Sequence, residues 1–214
     1  MRINITNSFI GLITGLALLL APIASAETYE AGVHYVEVPT QKNAVQSDKI
    51  QVTEFFWYGC PHCYRFDPIV TKWQKTLADD VAFSHSPSMW NKPMKLHARA
   101  YYAATALGVL DKVHVPLFDA INLDNNRLQS KAAIAEIFEK AGVSTEDFNK
   151  AFDAFGTISK VKQADQRARN LRVSGVPSLV VNGKYRVAAG MVPTYDEMIL
   201  VVDFLIEKER ARLK

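Results

Sequence analysis

Only two cysteines, Cys60 and Cys63, occur in the 214 residues, and they stand three positions apart. That scarcity excludes a disulfide-stapled scaffold, because a bond across so small a ring removes little entropy from the unfolded chain. A zinc centre built on the pair is short of donors. Structural zinc takes about four ligands, and His34, His85, His97 and His114 are scattered along the chain. The chain also lacks a strong charge of either sign. Its formal net charge is +3 and its basic residues form no stripe, so nucleic acid is not an expected partner. There is no P-loop and no GxGxxG pattern, and no metal, flavin or nucleotide cofactor is expected. Repeats and low-complexity stretches are missing too. What remains is ordinary globular composition, 49% hydrophobic and 22% charged, with length for one core or one core plus an inserted subdomain.

One long apolar run exists, from Phe9 to Ala21, preceded by Arg2 and followed by Ala24-Ser25-Ala26. A charged start, an apolar middle and a small-x-small end predict a cleaved signal peptide over residues 1–26. The competing reading, a membrane anchor, needs about 20 apolar residues, and this run stops at Pro22. Removing Arg2 with the leader lowers the formal charge by one and costs no cysteine. Export places the two thiols in an oxidising compartment, where redox chemistry explains such a pair better than stabilisation does.

Past the leader, Val33, Tyr35, Val36 and Val38 predict a strand over 32–38, and residues 40–49 a polar loop. Residues 50–56 predict a central strand in which Glu54 is the odd acid among β-branched and aromatic neighbours. After Tyr58-Gly59, Pro61 suits the first turn of a helix, where its missing N–H is not needed. Cys63, Phe66, Val70, Trp73 and Leu77 then follow at helical spacing, interrupted by Pro68. Residues 81–86 predict a third strand. About seventy residues of helical signals follow, including one helix ending at Gly108, one opening at Ser130 and ending at Gly142, and a short one carrying Phe148, Phe152 and Phe155. Ile158, Val161, Ala168 and Leu171 mark a longer helix. Ser178 to Val181, Asn182-Gly183, and Lys184 to Val187 predict a hairpin. Thr194-x-x-Glu197 predicts a capping box opening the last helix. This order gives an α/β fold of the thioredoxin type with an inserted all-helical subdomain. The expected parts are residues 27–88, a helical insertion over 89–160, and residues 161–214.

A Cys-x-x-Cys pair can be half of a zinc site, an incidental bond, or a redox dithiol. A strand before it and a helix beginning at it favour the redox reading. At a helix N-terminus, free N–H groups and the helix dipole favour a negative sulfur at Cys60, while Cys63, one turn inside, is shielded. His62 between them adds positive charge or a hydrogen-bond donor, unless it is simply a solvated imidazole. Stabilising the thiolate favours the dithiol and makes the disulfide a better oxidant. Three pKa units correspond to about 4 kcal/mol, or roughly 90 mV in a two-electron couple.

Glu54-Phe55-Phe56, Cys60-Pro61-His62-Cys63-Tyr64, Gly175-Val176-Pro177 and Val181-Asn182-Gly183-Lys184-Tyr185 resemble the DsbA family's active site and its facing loop, in the family's order. The resemblance extends to Ala106-Leu107-Gly108-Val109 and Val115-Pro116-Leu117-Phe118, and so spans nearly all of the chain past the leader. It implies a thiol:disulfide oxidoreductase acting as a protein dithiol oxidase, with a low thiol pKa at Cys60 and the Cys60–Cys63 disulfide as its redox centre. By resemblance the catalytic set is Cys60, Pro61, His62, Cys63 and Glu54. The Val176–Pro177 bond is expected to be cis, against the ordinary trans turn, with the Val176 backbone beside Cys60 to pair with an extended client segment. Glu54 is expected to be a buried acid exchanging a proton with Cys63, against a solvent-facing place on an edge strand. Where the family often carries a lysine near this acid, the sequence has His85, and a Glu54–His85 interaction is expected. The resemblance also implies newly exported cysteine-containing clients, a membrane-embedded, quinone-linked reoxidant of the DsbB type, and a monomer. Two rival functions remain: a reductase or isomerase on the same fold, and a chaperone-like binding protein whose cysteines only brace a loop.

Overall fold

The computed structural model describes residues 29–39 and 47–213. The expected signal peptide, residues 1–26, lies outside them. The strands are β1 (Val36–Glu37), β2 (Ile50–Phe56), β3 (Val81–Pro87), β4 (Ser178–Val181) and β5 (Tyr185–Ala188). They form one sheet in the order β1-β5-β4-β2-β3, with β2 and β3 parallel and the other neighbours antiparallel. The helices are α1 (Pro61–Gln74), α2 (Lys92–Leu107), α3 (Leu110–Asn122), α4 (Lys131–Lys140), α5 (Thr145–Asp153), α6 (Phe155–Asn170) and α7 (Tyr195–Leu213). The expected α/β fold of the thioredoxin type is observed, with a helical block between β3 and the last hairpin. Among the described residues no helix is long and apolar enough to cross a membrane.

Strand alternation sends β2 side chains to opposite faces. Ile50 and Val52 join a core with Phe66, Val70 and Trp73 of α1 and Met198, Val202 and Leu205 of α7. Phe55, on the other face, packs with Ala168 and Leu171 at the end of α6. The helical block has a core of its own, in which Phe118, Phe138, Phe148 and Phe152 are buried with Phe56 and both cysteines. Burying such a ring fully is worth about 1.5–3 kcal/mol. Both cysteines therefore stand where the sheet-bearing part meets the helical block.

Local signals set most boundaries. Asn91, Ser130 and Ser144 cap α2, α4 and α5, their side chains accepting hydrogen bonds from Met94, Ala133 and Asp147 N–H, and Gly108 ends α2 at φ 68°. Asn182 and Gly183 both take positive φ, 49° and 63°, in a turn that the Lys184 N–H closes by donating to the Val181 carbonyl at 2.9 Å. Thr194 Oγ1 accepts from the Glu197 N–H at 3.0 Å, as the capping box predicts.

Two local expectations are corrected. The first strand is two residues long, because Gly32 (φ 87°) begins a turn in which its N–H donates to the Tyr35 carbonyl, leaving only Val36 and Glu37 to pair with β5. Phe155 does not share the inner face of the short helix. The extended backbone of Ala154 breaks the helical phase, and Phe155 opens α6 at 86% exposure. Within the expected helical stretch a further helix, α3, runs through Pro116. Helix α6 runs unbroken across residue 160.

Candidate active site

β2 leads into the turn Trp57-Tyr58-Gly59, which delivers Cys60 to the start of α1. Cys60 is the N-cap residue, with extended backbone and Pro61 next in the first helical turn. Its N–H donates to the Trp57 carbonyl at 3.0 Å. A side chain at Gly59 would run into the Trp57 indole. Trp57 is itself held from the helical block, its Nε1–H donating to Nδ1 of buried His97 at 2.9 Å.

Both cysteines are free thiols, and their surroundings drive them apart. The Cys60 thiol is lowered to about 6, chiefly by the hydrogen bond its sulfur receives from the Cys63 side chain. Burial works against this, while the Cys63 and His62 N–H groups and the charge of His62 assist. Cys63 is 0% exposed, and burial, with the hydrogen bond to Cys60, pushes it well above the ordinary thiol range. The second thiol thus lowers Cys60 more than the N–H groups of the helix start do, and the charge of His62 contributes least. His62 is exposed; its Nδ1 lies 3.1 Å from Arg65 Nη2 and 3.0 Å from the Tyr195 hydroxyl. Neither Arg65 nor Tyr195 stood out in the sequence.

Facing Cys60 is the loop that precedes β4. The Val176–Pro177 bond is cis, and Cys60 Sγ donates to the Val176 carbonyl at 3.6 Å. Ser178 Oγ fastens the loop by donating to the Gly175 carbonyl at 2.8 Å. A groove of about 700 Å³ opens beside the pair, bounded by His62, Arg65, Ile69, Val176, Pro193 and Tyr195.

Beneath the pair lies a floor of charged and polar groups. Glu54 is 2% exposed and lies on the same face of β2 as Val52 and Phe56. The parallel register sets it opposite His85 of β3. His85 Nε2 is 3.1 Å from Glu54 Oε2, off the hydrogen-bonding direction, and this buried nitrogen has no hydrogen-bond partner. His114 of α3 reaches the same place, with Nε2 3.1 Å from Asp67 Oδ1 and Nδ1 2.8 Å from the Tyr58 hydroxyl. The two imidazole rings are 5.2 Å apart. Donor atoms of Asp67, His85 and His114 all lie within 4.8 Å of one another. The histidines that look scattered in sequence thus converge in part, because β3 and α3 bring positions 85 and 114 together under α1. Asp67 had one legible signal, an acid on the buried face of α1 four residues after Cys63.

The DSBA-like thioredoxin domain family matches residues 79–203. The thiol:disulfide interchange protein DsbA of Pseudomonas syringae pv. tomato is 39% identical over 190 residues, 89% of either chain. The crystal structure of a variant of Pseudomonas aeruginosa DsbA aligns at TM-score 0.83 and 36% identity, covering 86% of this chain and 100% of that one. A Proteus mirabilis DsbA with a cysteine replaced by serine, solved with the non-covalently bound peptide PWATCDS, aligns at TM-score 0.71 and 27% identity, covering 85% and 100%. Sequence and architecture agree over most of the length of these proteins, and the chain belongs to the DsbA family of thiol:disulfide interchange proteins, which are oxidoreductases.

Proposed function

We propose that this chain is a periplasmic protein dithiol oxidase that passes a Cys60–Cys63 disulfide to newly exported proteins. The observation that carries the reading is the opposed ionisation of the two thiols: Cys60, at the helix N-terminus beside the groove, is acidic, and Cys63 behind it is not. An anion stabilised at Cys60 favours the dithiol product, so the disulfide gives up its oxidising equivalents readily.

In this reaction a client thiolate attacks the Cys60 sulfur. The Cys60–Cys63 bond breaks, Cys63 leaves and takes up a proton, and a mixed disulfide links client and Cys60. A second client thiolate attacks the client's own sulfur and expels the Cys60 thiolate. The client loses two electrons and the enzyme gains them. Glu54, buried under Cys63, exchanges the proton as Cys63 leaves or returns, with His85 as its neighbour. Pro61 and His62 shape the surroundings of Cys60. The Val176 backbone and Pro177 receive an extended client segment along the groove, where backbone pairing accepts varied sequences. The peptide held by the Proteus mirabilis relative supports such a groove. The parts 27–88 and 161–214 supply the dithiol and the facing loop, and the insertion 89–160 supplies the wall that buries Cys63. A membrane quinone-linked partner of the DsbB type restores the disulfide, no cofactor beyond it is needed, and the enzyme works as a monomer.

Equilibration with glutathione tests the direction of electron flow. The oxidase stays mostly dithiol under a poise that leaves a reductase disulfide-bonded, and a mostly oxidised protein there would reverse the assignment.

A further inference from the structure

We propose that Asp67, His85 and His114 form a binding site for one divalent first-row transition-metal ion, with Zn²⁺ as the species that fits, separate from the two cysteines. The three side chains come from α1, β3 and α3, and their donor atoms already lie within 4.8 Å of one another. At metal–donor distances of about 2.1 Å, two ligands of a tetrahedral ion stand ~3.4 Å apart. Side-chain movements of less than about 1 Å each therefore close the triad on an ion.

The partners of these groups also suit a metal. His85 Nε2 is buried and makes no hydrogen bond, so ligation there forfeits no existing hydrogen bond. Glu54 Oε2 lies 3.1 Å from that nitrogen, beside the three ligands, and water completes the coordination of the ion. His114 keeps its other ring nitrogen 2.8 Å from the Tyr58 hydroxyl, the kind of outer contact that fixes the orientation of a metal-bound imidazole. Asp67 is 3.1 Å from the ligating nitrogen of His114, so oxygen and nitrogen donors are adjacent before the ion arrives. Two imidazoles with carboxylates select zinc-like ions over magnesium or calcium, which prefer oxygen alone. Phe56 packs edge-on to both imidazoles and Phe118 to His114, which gives the site an apolar wall. There a dication balances the charge of Glu54 and Asp67. Binding needs no change of oxidation state; it displaces the ring protons that the ligating nitrogens carry.

The test uses full-length mature protein, untagged and in the disulfide form, so that neither thiol can ligate. Calorimetric titration with Zn²⁺ is expected to show one ion per chain. Asp67→Asn, His85→Ala and His114→Ala should each weaken it at least tenfold, while His34→Ala and His62→Ala leave it unchanged. Asp67→Asn preserves shape and is the decisive variant, with circular dichroism checking that each variant is folded. On the unaltered protein, Co²⁺ should give the intense visible bands of a four- or five-coordinate ion without sulfur charge transfer. The proposal is overturned by absence of stoichiometric Zn²⁺ binding, by binding that survives the three substitutions or is lost with His34 or His62, or by a weak six-coordinate Co²⁺ spectrum.

Discussion

Cys60 caps the helix that holds Cys63, two residues between them, yet one thiol is lowered to about 6 and the other is pushed well above the ordinary thiol range. Cys60 sits on the rim, where the chain enters α1 and meets the Val176 carbonyl. Cys63 faces the floor, above Glu54 and the His85–His114 cluster. Burial raises the pKa of both but is the larger cause at Cys63, and the hydrogen bond between the two sulfurs adds to it there while outweighing burial at Cys60. Cys63 donates and Cys60 receives, so each thiol's ionisation depends on the other's place in the fold. A dithiol with one good nucleophile and one reserve is thus a property of the pair.

The comparison breaks most completely at the sulfur itself. Cys60→Ser is expected to abolish oxidation of a reduced client, while Cys63→Ser, given a disulfide-bonded client whose bond Cys60 attacks with release of one client thiolate, accumulates a mixed disulfide visible on a non-reducing gel. A Cys60→Ser protein that no longer oxidises clients yet still protects them from aggregation would favour the binding-protein reading.

The pH dependence sharpens the contrast. Alkylation of reduced protein should proceed at Cys60 with a midpoint near 6, against about 8.5 for free cysteine, and should leave Cys63 unmodified. The folded-state pKa of Cys60 is depressed, so its thiolate adds stability that is fully present above the unfolded-state value and is lost as pH falls through about 6. The disulfide form has no such group. Urea unfolding of both forms should therefore show the reduced protein gaining on the oxidised one between about pH 6 and pH 8.5. Cys63 titrates above that window. A constant difference across it would remove the acidic thiol from the account.

Smaller effects are expected from the floor. Tyr58→Phe deletes the hydroxyl 2.8 Å from His114 Nδ1 and should cost about 1–2 kcal/mol in denaturant unfolding, with little change at Cys60. The smallest is His85→Ala. It removes the neighbour of Glu54 and should displace the Cys60 alkylation curve slightly; superimposable curves would disconnect the floor from the rim.

The rim was the more legible half in sequence because its parts are local. A strand, a turn, a proline in the first helical turn and two cysteines lie within fifteen residues, and Asn182-Gly183 announced its hairpin. Glu54 was visible as an acid in an apolar strand, and parallel pairing of β2 and β3 places His85 opposite it. The Asp67–His114–Tyr58 chain was not legible. It depends on α3, whose ends carried no singled-out boundary signal, and on a contact between residues 47 positions apart. Arg65 and Tyr195 went unnoticed for a similar reason: nothing near Tyr195 in sequence indicates that it meets His62, 133 positions away.

Asn182 has a second duty. Its side-chain oxygen accepts from the Gln51 N–H at 2.8 Å and its amide nitrogen donates to Glu209 Oε2 at 2.8 Å, so the corner of the hairpin also knots β2 to the last helix. Aspartate would serve the turn equally well by shape, but it has no amide to offer and would set two anions face to face. An asparagine at that corner is thus demanded twice, once by the bend of its own backbone and once by a neighbour twenty-seven residues downstream.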